Sequence, residues 1–423
     1  MTELTLPVDR RTPVGARCRV GVIGLGYAGL PQAVAFAEAG HRVIGVDSSP
    51  RVTAALRDGH SPVDTVPDDR VCRLGETLSV VDDTEALADC SAVVVCVPTP
   101  VDAAGEPDLT ALRAACGTVA AHLRPGQLVV IESTVYPGVT DTVVRPVLER
   151  SGLVAGVHFG LAHVPERVDP GNPVFDSADT SRVVGGLTAV CALRAAELYG
   201  GVVSSVHITG GLREAEATKV LENTYRQVNL GLVHEFAAYC DALGIDAAAV
   251  IDAASTKPFG FEPFYPGVGV GGHCIPVDPL YLAHSARAAG TPLHLVELAQ
   301  RINDERPVRV ADLCDALLGT AGTPLDGAEV LILGVSYKPN VSDIRNTPVV
   351  PLIRELTARG VQVRIHDPYV PELVVDGHYH KSVSPLGAAI AEADLVLVAQ
   401  HHSAYDTALL HRARLLYDPR RHT

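Results

Sequence analysis

Cys274 stands in the tract GVGVGGHCIPVDP, preceded by Gly267, Gly269, Gly271 and Gly272 and followed by Pro276 and Asp278. A free cysteine is usually inert packing. Glycines before it and a proline after it keep this one out of a core helix or strand, which suits a nucleophile. So many glycines imply a loop that closes around a ligand through its backbone. Lysine usage is a second signal. The only lysines are Lys219, Lys257, Lys338 and Lys381, arginine having replaced lysine elsewhere, so each is a candidate for chemistry that guanidinium cannot perform. Lys219 lies with Glu216, Asn223 and Arg226 at spacings of 3, 4 and 3, which places all four on one face of a helix. The same spacing also fits a solvated salt-bridge face.

A third constellation is the turn GLGYAG at residues 24–29. Gly24 permits the tight turn, Gly26 lets a pyrophosphate approach the backbone, and Gly29 allows close helix packing. The helix after the turn offers its free N–H groups to phosphate. Asp47 lies 18 positions beyond Gly29, where a carboxylate can accept both adenosine ribose hydroxyls. It would repel a 2′-phosphate, which favours NAD⁺ over NADP⁺.

The elements that must hold these groups can be read from the pattern. RVGVI, the glycine turn, PQAVAFAEAG and HRVIGVD read as strand, turn, helix and strand, with Pro31 in the first helical turn and Gly40 ending the helix. Further apolar runs at SAVVVCVPTP, QLVVIEST, VHFGLAHVPE and SRVVGG complete a doubly wound parallel sheet. Pro98-Thr99 and Glu132-Ser133-Thr134 fall at its carboxyl edge, where open α/β sheets bind ligands. From about Leu212 to Leu243 there is no proline and a single glycine, so this stretch predicts one long helix. AEVLILG, a helix over PVVPLIRELTARG, VQVRIHDP and DLVLVAQ form a second Rossmann-like half without a GxGxxG.

The bulk numbers agree with a folded enzyme. A chain of 423 residues is too long for one core. A formal charge of −15 argues against nucleic acid as a partner. No apolar run spans a membrane, and the start lacks an apolar signal core, so a cytoplasmic location is expected. The nine cysteines show no CxxC pair and no zinc spacing, so no metal is expected.

Taken together, GLGYAGLP, CVPTPVD, ESTVYPG, PERVDPGN, EAEATKVLENTYRQVN, GVGGHCIPVDP and YKPNVSDIRNTP resemble the UDP-glucose/GDP-mannose dehydrogenase family, in the same order and from Cys18 to about Arg420. The resemblance implies two Rossmann-like doubly wound domains joined by a central helical domain with one long helix. It divides the chain into a disordered leader (1–17), an NAD-binding domain (18–208), a central helical and catalytic-loop domain (209–305) that forms a homodimer, and a UDP-sugar-binding domain (306–423).

Carried over position by position, the resemblance makes Cys274 the nucleophile and Asp278 its polar partner near the catalytic water. It puts Lys219 and Asn223 beside the oxygen of the reacting carbon, Thr134 at the water and Glu166 as an acid/base carboxylate. It gives NAD⁺ contacts to Gly24, Gly26, Tyr27, Ala28, Gly29, Asp47, Arg51, Pro98, Thr99, Thr134 and Arg345. It gives UDP-sugar contacts to Glu166, Arg167, Lys219, Asn223, Phe264, Tyr265, Gly271 and Lys338. The implied reaction is a four-electron oxidation of a sugar CH₂OH to a carboxylate, through a thiohemiacetal and a thioester on Cys274. His273 and Val277 depart from the UDP-glucose branch, and the surrounding tract is more similar to the UDP-N-acetylglucosamine and UDP-N-acetylmannosamine dehydrogenases. The alternatives are a UDP-glucose 6-dehydrogenase, a two-electron hydroxyacid-type dehydrogenase, for which Cys274 would have no use, and a non-catalytic nucleotide-sugar sensor. An acid product would feed a surface polysaccharide or a secondary metabolite.

Overall fold

The computed structural model describes residues 17–167 and 180–420. The expected leader, apart from Arg17, and the Val168 to Asn172 part of PERVDPGN lie outside the described residues. The chain forms two compact units, the first ending at Glu222 but also holding Leu280–Ala288, the second holding Asn223–Pro279 and the chain from Ala289 onward.

In the first unit, eight strands form one sheet: β1 (Arg19–Ile23), β2 (Arg42–Val46), β3 (Leu78–Val80), β4 (Ala92–Val95), β5 (Leu128–Ile131), β6 (Gly160–His163), β7 (Arg182–Gly186) and β8 (Val206–Ile208). Their order is β3-β2-β1-β4-β5-β6-β7-β8. The order reverses between β1 and β4, which is the switch point where such sheets bind ligands. β4 (AVVV) and β5 (LVVI) are buried at every position, as strands covered on both faces must be. The parallel sheet expected from sequence holds except at β6 and β7, which pair antiparallel.

The second unit carries a smaller sheet built from β9 (Glu329–Leu333), β10 (Gln362–His366), β13 (Leu395–Val398) and β14 (Leu416–Tyr417). It runs β10-β9-β13-β14, and every pair is parallel. β11 (Glu372–Val375) and β12 (His378–Lys381) form a separate antiparallel hairpin. Its turn is Asp376-Gly377, with φ of 50° and 81°, the left-handed pair that suits a two-residue hairpin. The core under the four-stranded sheet gathers Val330, Ile332, Leu352, Ile353, Ile365, Leu395 and Leu397.

The long helix spans Leu212–Leu243, as its sequence predicts. Its single glycine, Gly231, lies against the helix His294–Thr320: a Cβ there would sit 3.1 Å from Ala299. That second helix runs unbroken across residues 305 and 306, with Pro307 inside it.

Candidate active site

In the first unit two of the three glycines of the corner after β1 have a steric reason. Gly24 adopts φ +89°, and a Cβ on it would lie 2.4 Å from the Cys96 carbonyl oxygen. A Cβ on Gly29 would lie 1.8 Å from the Gly24 carbonyl oxygen, so helix Gly29–Glu38 could not start where it does. A Cβ on Gly26 would meet nothing within 4 Å. That open space above the helix N-terminus is the cradle a pyrophosphate needs.

Asp47, half-buried, accepts N–H bonds from Leu25 (2.7 Å) and Ser49 (2.8 Å), so it shapes the glycine corner as well as facing it. An ionised carboxylate has about four acceptor positions, which leaves room for ribose hydroxyls. These residues fit NAD⁺. Tyr27 and Ala28 are half-buried in the turn itself, and Arg51 is exposed on the helix that begins at Pro50. Asp47→Ala is expected to weaken NAD⁺ binding and narrow the preference over NADP⁺. Asp47→Asn, which keeps one oxygen for the corner, should narrow the preference with less loss of stability. Titration calorimetry with both cofactors decides this, and an unchanged affinity ratio would place the discriminating contact elsewhere.

The exits of β4 and β5 are laced together. Ser133 Oγ accepts from Val97 N–H (2.9 Å) and donates to Val97 O (2.8 Å), and Thr99 Oγ1 donates to Thr134 O (2.8 Å). Thr99 is buried, Thr134 is half-exposed and Pro98 is exposed. Beneath this edge lies a polar network that sequence reasoning missed. Glu132 accepts from Tyr199 OH (2.6 Å) and Cys96 Sγ (2.9 Å). The Arg182 guanidinium donates to Gln32 Oε1 (2.7 Å) and reaches to 3.8 Å from Glu166. Burial pushes the Glu132 carboxyl up and the Tyr199 and Cys96 groups well up. Burial disfavours the Arg182 cation, but Glu132 and Glu166 more than offset that and hold it protonated. Arg182 is thus a fixed positive charge next to the candidate acid/base carboxylate. Glu132 is legible in the sequence as an edge residue, but Arg182 reads there only as the start of a strand.

The polar stripe on the long helix is not a solvated face. Glu216 is fully buried and Lys219 is only 7% exposed. Glu216 accepts the N–H groups of Gly138 (2.5 Å) and Thr140 (2.7 Å), anchoring the segment that comes after Thr134. Burial raises its carboxyl pKa. Arg226 alone of the four is exposed. Arg167 pairs with Glu222 (2.6 Å) and donates to Ser181 O (2.6 Å). Helix residues Leu280–Ala288 pack on the loop after β4: Tyr281 OH donates to Pro100 O (3.0 Å), and His284 and Arg287 both meet Glu106.

In the second unit Cys274 is exposed, whereas seven of the nine cysteines are buried. Its carbonyl accepts N–H bonds from Val277 (3.2 Å) and Asp278 (2.8 Å), closing the turn that leads into the helix starting at Asp278. Asp278 is 4% exposed, and its Oδ2 accepts from Asn223 Nδ2 at 2.5 Å. The neighbouring His273 is half-buried, and burial, then repulsion from Arg345, lowers its pKa.

Three of the glycines before Cys274 have a packing reason that the sequence does not reveal. A Cβ on Gly269 would lie 2.7 Å from Pro348, one on Gly271 would lie 2.7 Å from Tyr337, and one on Gly272 would lie 2.8 Å from the Tyr337 ring. Close packing against the YKPNVSDIRNTP segment by itself requires glycine at positions 269, 271 and 272. The contact is sealed by Gly272 N–H to Arg345 O (3.0 Å) and Asn346 Nδ2 to Gly272 O (3.1 Å). Gly267 is held from the other side, donating to His234 Nε2 (3.2 Å) and accepting from Arg306 Nε (2.9 Å). Burial lowers the His234 pKa to about 3, so that ring stays neutral. Neither His234 nor Arg306 stands out in the sequence.

Of the remaining substrate candidates, Phe264 is buried against Val233 and Ile251, and Tyr265 OH donates to Asp252 (2.5 Å). Their side chains are engaged in holding the loop. Lys338 is half-exposed, and its carbonyl accepts from Ser336 Oγ (2.8 Å). Arg345 forks onto Asp343 through Nε (3.0 Å) and Nη2 (2.6 Å).

A glycine corner with an acid closing the second strand, at the switch point of a largely parallel sheet, is the arrangement of a Rossmann dinucleotide-binding domain. The chain belongs to the UDP-glucose/GDP-mannose dehydrogenase family, whose NAD-binding domain matches residues 18–203, central domain 213–305 and UDP-binding domain 331–423. It is an NAD-dependent enzyme of nucleotide-sugar 6-dehydrogenase type that acts on CH–OH groups. It is 37% identical to the UDP-N-acetyl-D-glucosamine 6-dehydrogenase of Pseudomonas aeruginosa over 92% of this chain and 91% of that one. It is 35% identical to the UDP-N-acetyl-D-mannosamine dehydrogenase of Pyrococcus horikoshii, over 92% and 90%. A solved UDP-D-ManNAc dehydrogenase from Pyrococcus horikoshii superposes with a TM-score of 0.86 at 33% identity, covering 95% and 94%. A UDP-glucose dehydrogenase from Pyrobaculum islandicum gives 0.85 at 28% identity, covering 97% and 98%. Among the described residues no helix is long and apolar enough to cross a membrane.

Proposed function

We propose that this protein oxidises the C6 CH₂OH of a UDP-N-acetylhexosamine to the uronate in two steps, holding the intermediate on Cys274. The observation that carries the reading is the exposed thiol in a closed turn, four residues before an Asp278 whose carboxylate fixes Asn223. A two-electron dehydrogenase has no use for such a thiol.

NAD⁺, when bound, takes up one hydride from C6 in each oxidation. The residues of the chain do the rest. Lys219 and Asn223 stabilise the oxygen of the alcohol as its proton leaves. The Cys274 thiolate adds to the resulting aldehyde: a C–S bond forms and the carbonyl oxygen takes a proton, giving a thiohemiacetal. Loss of the second hydride from C6 and of the hydroxyl proton leaves a thioester. A water ordered by Thr134 and deprotonated by Glu166, Asp278 or both then attacks, the C–S bond breaks, and uronate and thiolate separate. Arg182, whose Nη1 lies 3.8 Å from Glu166, helps hold that carboxylate in place.

The homodimer through the long helix is part of this proposal. Leu221, Tyr225, Leu232, Tyr239 and Leu243, each at least half exposed, recur at helical spacing along it, an apolar stripe of the kind that protein partners cover. Supply of an acidic sugar for a surface polysaccharide is consistent with such a product.

The test is a spectrophotometric screen of UDP-sugars that counts NADH per sugar. Two NADH per sugar and a kcat/KM for UDP-N-acetylglucosamine or UDP-N-acetylmannosamine above that for UDP-glucose are expected. A preference for UDP-glucose would overturn the substrate assignment, and one NADH per sugar would overturn the mechanism.

A further inference from the structure

The two Rossmann-like halves share one corner. After β1, Gly24 N–H donates to Val46 O (2.8 Å), Leu25 N–H to Asp47 Oδ2 (2.7 Å) and Ser49 N–H to Asp47 Oδ1 (2.8 Å). After β9, Gly334 N–H donates to His366 O (2.8 Å), Val335 N–H to Asp367 Oδ2 (2.7 Å) and Tyr369 N–H to Asp367 Oδ1 (2.8 Å). The difference is what else the acid holds. Asp367 also accepts from Ser336 N–H (3.1 Å), Val370 N–H (3.1 Å) and His402 Nε2 (3.1 Å), and neither the Asp367 nor the His402 side chain reaches solvent. Where Asp47 keeps acceptor capacity for a ribose, Asp367 has none left. His402 has closed the second corner, so its purpose lies elsewhere.

The hydrogen bonds fix the state of that ring. Asn340 N–H donates to His402 Nδ1 (2.9 Å), so Nδ1 is unprotonated, Nε2 carries the proton and Asp367 accepts it. Asn340 adopts φ +62°, the left-handed region that asparagine enters more readily than most other non-glycine residues. Its Oδ1 accepts from Ser403 N–H (2.8 Å) and Oγ (3.0 Å), and Gln400 Nε2 donates to Tyr337 O (2.9 Å). The chain leaving β13 thus pins the loop leaving β9 along the stretch that bears Lys338. Tyr369 and Tyr405 also face the ring, with centroids at 5.1 and 5.5 Å, and His366 lies close enough to interact with it electrostatically.

We infer that His402 is a positioning residue for the uridine diphosphate moiety. Asp367 sets its tautomer, and the acceptor this leaves at Nδ1 holds Asn340, and with it the Lys338 loop, in the conformation that receives the ligand. The inference rests on the reading of the C-terminal half as the UDP-sugar-binding one.

Two amides separate the ring's two bonds. Asn puts its oxygen where Nδ1 stands and loses the Asp367 partner; Gln puts its nitrogen where Nε2 stands and loses the Asn340 acceptor. His402→Gln in the full chain is expected to weaken UDP binding by calorimetry, and raise KM for the UDP-sugar, by about tenfold, with kcat and NAD⁺ affinity within about twofold. His402→Asn should bind UDP within about threefold of wild type. A ring that only fills the core predicts the opposite ranking, because Gln keeps both the bulk and the buried Asp367 partner. Unchanged UDP affinity in His402→Gln, or a worse defect in His402→Asn, overturns the inference. A wild-type protein that binds UDP but oxidises no UDP-sugar would instead overturn the functional reading alone.

Discussion

Lys219→Met is expected to lower kcat by a factor on the order of 10² to 10³, the usual loss when one charged group aimed at a developing oxyanion is removed. Methionine keeps the length and most of the apolar stem, so the helix and its packing should survive. The effect is large because Lys219 is only 7% exposed, and a cation in a poorly solvated place interacts with a nearby alkoxide far more strongly than one in water. Lys219 and Asn223 lie one turn apart on one helix, so their polar groups fall on the same face. If the charge acts on the transition state, kcat and kcat/KM fall together while NAD⁺ and UDP affinities stay put. Rapid-mixing measurement of the first NADH separates the first oxidation from hydrolysis. A variant whose first hydride transfer keeps its wild-type rate while thioester hydrolysis slows would remove Lys219 from the alcohol step.

Local features are legible in the sequence, and long-range ones are not. Gly24, Gly26, Gly29 and Asp47 lie within 24 residues of one another, and their geometry is dictated by backbone sterics that any strand-turn-helix of this kind must satisfy. The long helix is legible for the same reason: its periodicity is a property of consecutive residues. Glu216 shows where this stops. Its spacing from Lys219 is local, but its partners are the N–H groups of Gly138 and Thr140, some 76 residues away, and no helical period reveals them. Arg182 is 50 residues from Glu132 and is hidden at the head of an apolar strand. The glycines before Cys274 announce a special backbone correctly, but whether a missing Cβ makes room for a ligand or for Tyr337 is decided by tertiary packing.

The same contrast bears on how well the proposed nucleophile is held. Cys274 itself carries no regular secondary structure, yet its neighbours are fixed on every side within the second unit. Gly272 is tied to Arg345 and Asn346, Gly267 to His234 and Arg306, and the Cys274 carbonyl to the turn that starts the Asp278 helix. An exposed thiol on a rigid loop combines accessibility with orientation, which is the condition for efficient attack on a bound carbonyl.

Cys274→Ser should therefore separate the first oxidation from complete turnover. The substitution changes one atom and leaves the loop contacts intact, so folding, NAD⁺ binding and UDP binding are expected to persist. In the proposed mechanism the first hydride step depends on Lys219 and Asn223, so it should be partly retained. The later steps need sulfur: a hydroxyl is a far weaker nucleophile at neutral pH than a partly ionised thiol, and an oxygen ester hydrolyses less readily than a thioester. Steady-state production of two NADH per sugar should fall by on the order of 10³ or more, as it does when an enzyme loses a covalent nucleophile. Molecules that do form the adduct should stall as an acyl ester. Intact-protein mass spectrometry after incubation with NAD⁺ and UDP-sugar should show a mass increase equal to the UDP-uronate acyl group, lost on mild alkaline hydrolysis. Cys274→Ala should show the first-step activity without any adduct. If either variant turned over near the wild-type rate with two NADH per sugar, the thiol would not lie on the reaction path, and the second oxidation would have to proceed through an aldehyde hydrate formed by water alone.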